Sequence, residues 1–311
     1  MQTAALIGSF GVLAVVALHS GLSLSTFRQV GDPAPEWLLL ALATEAVSIV
    51  AYAVMVRELL QEWSISVRMR TLLRATLGGI AMAAALPGGQ ALSVAYWYKQ
   101  LRREGVGRAV CGVVLTGATI VGVLSLSYIL LGGVVLAGNA GPLAAARIPL
   151  LSAAGALLAI RFAFRRRLGR GLAAFVGRLH AGLPEEKGLR PKLVGVVIAA
   201  YVNWLLDCAC LVASLRALDA TIPAKSILLT YALAQIVAAI PLLPGGGGTV
   251  ELSLSVGFTT FGHTSGHVFA GILLYRLISC WGLVPIGWLA VALGGRTLVP
   301  HISPVQRPSR A

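Results

Sequence analysis

The sequence predicts an all-α polytopic membrane protein, with six full spans and two broken, re-entrant helical hairpins in an inverted repeat. Three observations predict it. Of the 311 residues, 57% are hydrophobic and only 12% charged, against about 25% charged in soluble domains. Apolar runs of roughly 20 residues, enough for a helix to cross ~30 Å of hydrocarbon, recur along the whole length. A Leu-Pro-Gly-Gly break then occurs twice, at Leu86–Gly89 and Leu243–Gly246. The expectation is a single transmembrane domain, with halves 1–140 and 141–300 and a disordered cytoplasmic tail 301–311. Such a chain leaves no room for a separate soluble catalytic domain, so neither an enzyme nor a bound cofactor is expected.

Each element is placed by the distribution of positive charge, because Lys and Arg collect in cytoplasmic loops. Span one is Thr3–Leu24. It has no Lys or Arg before it and a long apolar run, which favours a span over a cleaved signal peptide. The following loop, STFRQVGDPAPEW, is weakly charged and external. Span two, Glu36–Leu60, returns to Arg57, Arg68, Arg70 and Arg74 on the inside. The segment Thr71–Tyr98 then has basic clusters at both ends, and at 1.5 Å per residue it is too short to cross twice. A hairpin entering from the cytoplasm and turning at Pro87-Gly88-Gly89 satisfies both facts. Proline removes a backbone donor and glycine permits the turn.

Span three, Ala109–Ala137, leads outside, and span four, Ile148–Phe164, comes back to a loop with nine Lys/Arg between Arg161 and Lys192. Span five is Leu193–Leu215. Ser226–Phe261 forms the second broken hairpin, entered from outside, and span six, His267–Leu293, ends at a basic cytoplasmic C-terminus. On this path 20 of the 25 Lys/Arg lie inside and four outside, with Arg276 within span six. The net charge of +14 therefore reflects membrane sidedness, and no nucleic-acid partner is expected.

The two breaks are offset by 157 residues, and Gly105 and Gly262 share that offset. Each half runs span, span, hairpin, span, and three full crossings in the first half turn the second upside down. Inverted repeats with interrupted helices are the arrangement of transporters, whose substrate site lies between the halves. A single break is equally a packed kink; the matched pair with opposed flanking charge favours the repeat.

Charged groups inside hydrocarbon cost about 2.5–3.5 kcal/mol each on insertion scales, so they face a cavity or one another. Glu45, Asp207, Glu251 and Arg276 are such groups. Glu251 follows the second glycine turn and Arg276 is mid-span, so an ion pair between them offsets part of the cost. They form a structural clamp, or Arg276 meets an anionic headgroup beside Glu251. Asp207 projects from one face with Asn203, and Glu45 with Ser48. The expected substrate pathway is thus Pro87, Gly88, Gly89, Pro244, Gly245, Gly246, Glu251, Arg276, Asp207, Asn203 and Glu45.

The loop after span four spaces Leu168, Leu172, Phe175, Val176 and Leu179 helically. Arg165, Arg166, Arg167, Arg170 and Arg178 there suit contact with an anionic lipid surface, or a topology anchor alone. PGGGGTVE lacks the Gly-Lys-Ser/Thr ending of a phosphate loop. Cys111, Cys208, Cys210 and Cys280 lie in apolar runs without zinc spacing, and His263 and His267 lack a third ligand. No metal is expected.

The pieces LPGGQALSVAYWYKQLRREGV, NWLLDCACLVASLRAL, LPGGGGTVE and LLYRLISCWG together resemble the flippase-like integral membrane family that includes the lysylphosphatidylglycerol synthase transmembrane region. The resemblance covers nearly the whole chain. It implies a lipid flippase or the membrane part of a lipid-aminoacylating enzyme, with the Pro87 and Pro244 breaks, Glu251 and Arg276 matching the family pattern. The aminoacyl-transferase domain of the full-length enzymes is absent from this sequence, so the synthase activity does not follow. The first hairpin also lacks an acid equivalent to Glu251.

The function expected is translocation of an anionic, aminoacylated or glycosylated lipid between leaflets of the plasma membrane, with membrane lipids as partners. Transport of a small solute, or a non-transporting partnership with a lipid-modifying enzyme, are the alternatives.

Overall fold

The structure is a computed structural model that describes residues 32–86, 88–137, 190–238 and 248–294. All elements there are helical: α1 (Pro35–Gln61), α2 (Met69–Ala85), α3 (Gly89–Arg103), α4 (Arg108–Ala137), α5 (Arg190–Arg216), α6 (Ala224–Ala238), α7 (Thr249–Thr260), α8 (Gly266–Arg276), a π-helical turn Leu277–Trp281, and α9 (Leu283–Gly294). Four stretches are long and apolar enough to cross a membrane: Pro35–Gln61, Arg108–Leu136, Val194–Arg216 and Gly266–Gly294. They correspond to the expected spans two, three, five and six. Spans one and four fall outside the described residues, as do Arg165, Arg166, Arg167, Arg170 and Arg178.

The second set of helices repeats the first, turn for turn. α1 and α5 are both 27 residues long and start 155 positions apart. After α1, Ser64 turns with φ +53°; after α5, Asp219 does so with φ +57°. The turns close with the same bonds, Ile65 N–H to Leu60 O and Ala220 N–H to Leu215 O. Gly105 and Gly262 end α3 and α7 with φ +83° and +84°, the left-handed region that glycine enters without steric cost. The following residue bonds back alike, Val106 N–H to Leu101 O and His263 N–H to Phe258 O. The glycine correspondence expected from sequence is thus a correspondence of backbone conformation.

The central pair runs antiparallel. At one end the Ala34 N–H donates to Ala217 O at 2.8 Å; at the other, Gly195 of α5 packs on the Glu58 side chain of α1. In the middle, Ser48 Oγ donates to Asn203 O at 3.0 Å, and Asn203 Nδ2 donates to Ser48 O at 3.1 Å. These two residues are the central positions of their helices, so an approximate two-fold axis passes between them. The remaining packing obeys it. α2 lies against α9, and α6 lies against α4, each hairpin's first arm docking on the last helix of the other half.

Small residues permit this interlock, as is usual where lipid offers no hydrophobic drive between helices. A Cβ on Gly287 would meet Leu77 O at 2.2 Å, and one on Gly133 would meet Leu229 N at 3.0 Å.

The hairpin arms are short: 17 and 15 residues for α2 and α3, 15 and 12 for α6 and α7. At 1.5 Å per residue none exceeds about 26 Å. Each second arm begins after a left-handed glycine, Gly88 (φ +68°) or Gly248 (φ +78°).

Among the described residues, apolar burial forms two large cores and a small cluster of Ala81, Ala85, Val284 and Trp288 between α2 and α9. One core gathers Leu211, Tyr231, Leu254, Phe258 and Tyr275 with the C-terminal half of α4. The other gathers Met55, Leu60, Trp97 and Leu101 with the N-terminal halves of α4 and α5. Between them, at mid-length of α1 and α5, the interior is polar.

Candidate functional site

A cavity of about 290 Å³ opens where the two cores part. It is walled by α1 and α2 with Gln90 of α3 from the first half, and by α5, α6, α8 and the π turn from the second. Ala83, Ala84 and Gln90 bring its rim to the first hairpin break, and Ala238 brings it to the start of the second. Gly88 and Gly89 stand beside that rim; Gly88 is exposed and Gly89 is buried, its position so tight that a Cβ would meet Met82 O at 2.3 Å. Pro87, Pro244, Gly245 and Gly246 lie outside the described residues.

Antiparallel packing decides which polar groups meet. Moving one turn toward the start of α1 and one turn toward the end of α5 travels in the same direction from the Ser48–Asn203 contact. Glu45 therefore arrives opposite Asp207, and the two carboxyls share the wall of the cavity. The sequence pairs Glu45 with Ser48 and Asp207 with Asn203 along single helices; in the fold Ser48 and Asn203 bond across to each other, and Glu45 and Asp207 share the cavity between them. Ser48 is tied to Asn203, whose Nδ2 also donates to Ser48 Oγ at 2.9 Å.

Asp207 is crowded with donors. The Tyr231 hydroxyl donates to Oδ2, Gln235 Nε2 donates to Oδ2 at 2.9 Å, and the Tyr275 hydroxyl lies 3.2 Å from Oδ1 and 3.1 Å from Oδ2. Gln235 Nε2 also reaches Tyr275 Oη at 3.0 Å, closing the ring. Hydrogen bonds to an ionised acceptor are the strong ones, and this one carboxyl accepts from three donors.

Tyr231, Gln235 and Tyr275 are absent from the sequence-based list. The signal was present: Tyr231 and Gln235 stand one helical turn apart in the otherwise apolar α6, and Tyr275 adjoins Arg276. Thr76 and Ser279, which also line the cavity, carry no comparable signal.

Arg276 and Glu251 form the expected ion pair. Arg276 Nε donates to Glu251 Oε1 at 2.9 Å, with both side chains 8% exposed. Arg276 also lines the cavity, together with Cys280 of the following π turn. Glu251 reaches it from the first turn of α7, the arm beginning after Gly248. The second break thus delivers the acid to the arginine.

The π turn has a cause in the sequence. Pro285 has no N–H and its ring clashes with the carbonyl one turn back, so a regular helix cannot continue through it. The chain widens at Leu277–Trp281, with Gly282 N–H bonding Leu277 O at 2.6 Å, and α9 restarts with Pro285 in its first turn. Single π turns recur at functional sites; this one sets Ser279 and Cys280 on the cavity wall.

Against this geometry the family can be stated. The lysylphosphatidylglycerol synthase TM region family matches residues 2–287. The chain belongs to that family. It is also similar, at 30% identity over 96 residues, to a UPF0104 membrane protein of Methanothermobacter thermautotrophicus; the match covers 30% of this chain and 28% of that protein. The chain thus spans well under two thirds of this relative in alignment. Membership and the four apolar stretches make it an integral membrane protein. As a member of the TM-region family, the chain corresponds to the part typically separate from the catalytic domain of the synthase.

Proposed function

We propose that this protein translocates a lipid, anionic or carrying an aminoacylated or glycosylated headgroup, between the leaflets of the cell membrane. The observation that carries the proposal is the polar cavity at mid-length of the antiparallel central pair, between the two hairpin breaks. A 27-residue helix is about 40 Å long, so its centre lies near the bilayer midplane, where inverted-repeat transporters hold their substrates. Its size suits a headgroup rather than acyl chains, which would stay in the surrounding lipid.

In this arrangement the repeat halves are 1–140 and 141–300, and six spans cross fully. Both hairpins re-enter from opposite sides because their arms are too short to cross. The termini are cytoplasmic, and the loop bearing Arg165 to Arg178 rests on the inner leaflet. Single engineered cysteines next to Gly105 and Gly262 are expected to label from opposite faces of the membrane; labelling from one face would remove the basis for alternating access.

The functional test is reconstitution into vesicles containing labelled anionic, aminoacylated and glycosylated lipids. Faster leaflet exchange than in protein-free vesicles is expected for at least one of them. No acceleration for any headgroup class counts against translocation. Uptake of a soluble headgroup analogue without lipid exchange would assign solute transport instead.

A further inference from the structure

The proposed function leaves the driving force unassigned, and the Glu45–Asp207 contact supplies a candidate. Glu45 is 7% exposed, and its Oε2 is buried without a hydrogen-bond donor among the described residues. On the same cavity wall, one helix across, stands the carboxyl of Asp207. Two carboxyls hydrogen-bond only if one of them carries a proton, since ionised carboxylates are acceptors alone.

The surrounding groups decide which carboxyl holds it. Asp207 already accepts from Tyr231, Gln235 and Tyr275, an environment built for a carboxylate. Glu45 has no such cradle, so a proton held by the pair rests on Glu45. Arg276, the cation on the same cavity wall, is engaged through Nε by Glu251 at 2.9 Å. The other titratable groups facing Glu45 are Cys210 on α5, Tyr275 on α8 and Cys280 on the π turn. All are acids that stay neutral unless they lose a proton, so none supplies a cation to stabilise ionised Glu45.

Position adds the second argument. Glu45 lines the cavity and belongs to the first half, while Asp207 belongs to the second. The pair therefore spans the seam that any rocking of one half against the other must change. With the proton on Glu45 the two carboxyls attract; once it leaves, two carboxylates repel across the seam. A single proton thereby biases the two arrangements of the halves. Its loss is a simple acid dissociation, Glu45–COOH giving Glu45–COO⁻ and a proton to water, with no other reactant.

We infer that the Glu45–Asp207 pair holds one exchangeable proton and couples a proton gradient to movement of the two halves. The inference rests on the translocase proposal for its transport consequence, but the proton itself is observable separately. In bilayers at neutral pH, infrared spectra of the wild type are expected to contain the C=O stretch of a protonated, poorly hydrated carboxyl. Glu45→Gln, which keeps a donor facing Asp207, removes that band, whereas Glu251→Gln leaves it. A wild type without the band, or a Glu45→Gln variant retaining it, overturns the assignment.

In lipid-exchange vesicles, wild-type exchange is expected to respond to an imposed pH gradient by up to about tenfold per pH unit, the slope of one linked proton. Monodisperse Glu45→Gln loses the response. Exchange by the wild type that ignores the gradient overturns the coupling. A carboxyl band with no exchange under any gradient overturns the translocase proposal and the coupling together, while leaving the proton on Glu45.

Discussion

The helices α1–α4 and α5–α9 fold alike and are chemically unlike. At an offset of 155, Tyr52 stands where Asp207 stands, Thr76 where Tyr231 does, Ile80 where Gln235 does, and Ala200 where Glu45 does. At 157, Val94 takes the place of Glu251. Val94 is 53% exposed and Glu251 6%, so the same arm position faces outward in one half and the ion pair in the other. The repeat preserves what the backbone needs: helix lengths, left-handed glycines and small residues at the interlock. It does not preserve the buried charges. A symmetric pair of sites would give two equivalent half-paths; among the described residues the polar centre is built mostly by the second half, with Glu45 as the first half's carboxyl.

Substitutions at corresponding positions can break or sharpen that contrast. The largest difference is expected between Asp207→Ala and Tyr52→Phe. Removing Asp207 strands three buried donors, at about 1–3 kcal/mol for each left unsatisfied, and should abolish leaflet exchange. Tyr52 instead packs edge-on to Trp97, with ring centroids 6.1 Å apart. Its loss of a hydroxyl should change thermal stability in detergent by under about 1 kcal/mol. Similar losses from both would mean that the halves share the site.

Next comes the ion pair. Arg276→Ala leaves Glu251 buried without its cation and should cost about 3–5 kcal/mol. The double variant Glu251→Gln with Arg276→Ala should recover part of that, because no lone charge remains. Thermal melts of the wild type, the two single variants and this double variant complete a double-mutant cycle that measures the coupling. Arg276→Ala should also impair exchange more than Arg307→Ala, and equal activity at equal expression would argue against a role for Arg276.

A smaller asymmetry is expected along the interlock. Gly287→Ala drives a methyl into Leu77 O at 2.2 Å, whereas Gly133→Ala meets Leu229 N at 3.0 Å. The first should cost about 1–3 kcal/mol and the second less, read as melting temperatures in one detergent. The smallest difference should be between Gly105→Ala and Gly262→Ala. Both positions have φ near +83° and open space around a Cβ, so each pays only the left-handed penalty of about 1–2 kcal/mol. Unequal losses there would show that the two turns are not equivalent.

Much of this was legible before any coordinates. Four predicted spans recur as helices because hydrocarbon admits few other conformations for a long apolar run. Gly105 and Gly262 matched because only glycine takes that backbone cheaply. Glu251 with Arg276 was foreseeable from the cost of burying either alone. Tyr231, Gln235 and Tyr275 were not, since hydroxyl and amide groups are tolerated in membrane helices for many reasons. Nor was the partner of Glu45, because helical periodicity relates residues along one helix and is silent about which helix lies opposite.

The sequence by itself determined a lipid-embedded helical chain, its repeat, its breaks and the identity of its buried charges. Composition and glycine placement act locally, through solvation and backbone sterics. Only the tertiary structure decided that Ser48 and Asn203 lie on an approximate two-fold axis, that Glu45 faces Asp207, and that one cavity takes its lining from both halves. Those facts depend on the antiparallel crossing of α1 and α5, a long-range choice set by the summed packing of every helix rather than by any one segment.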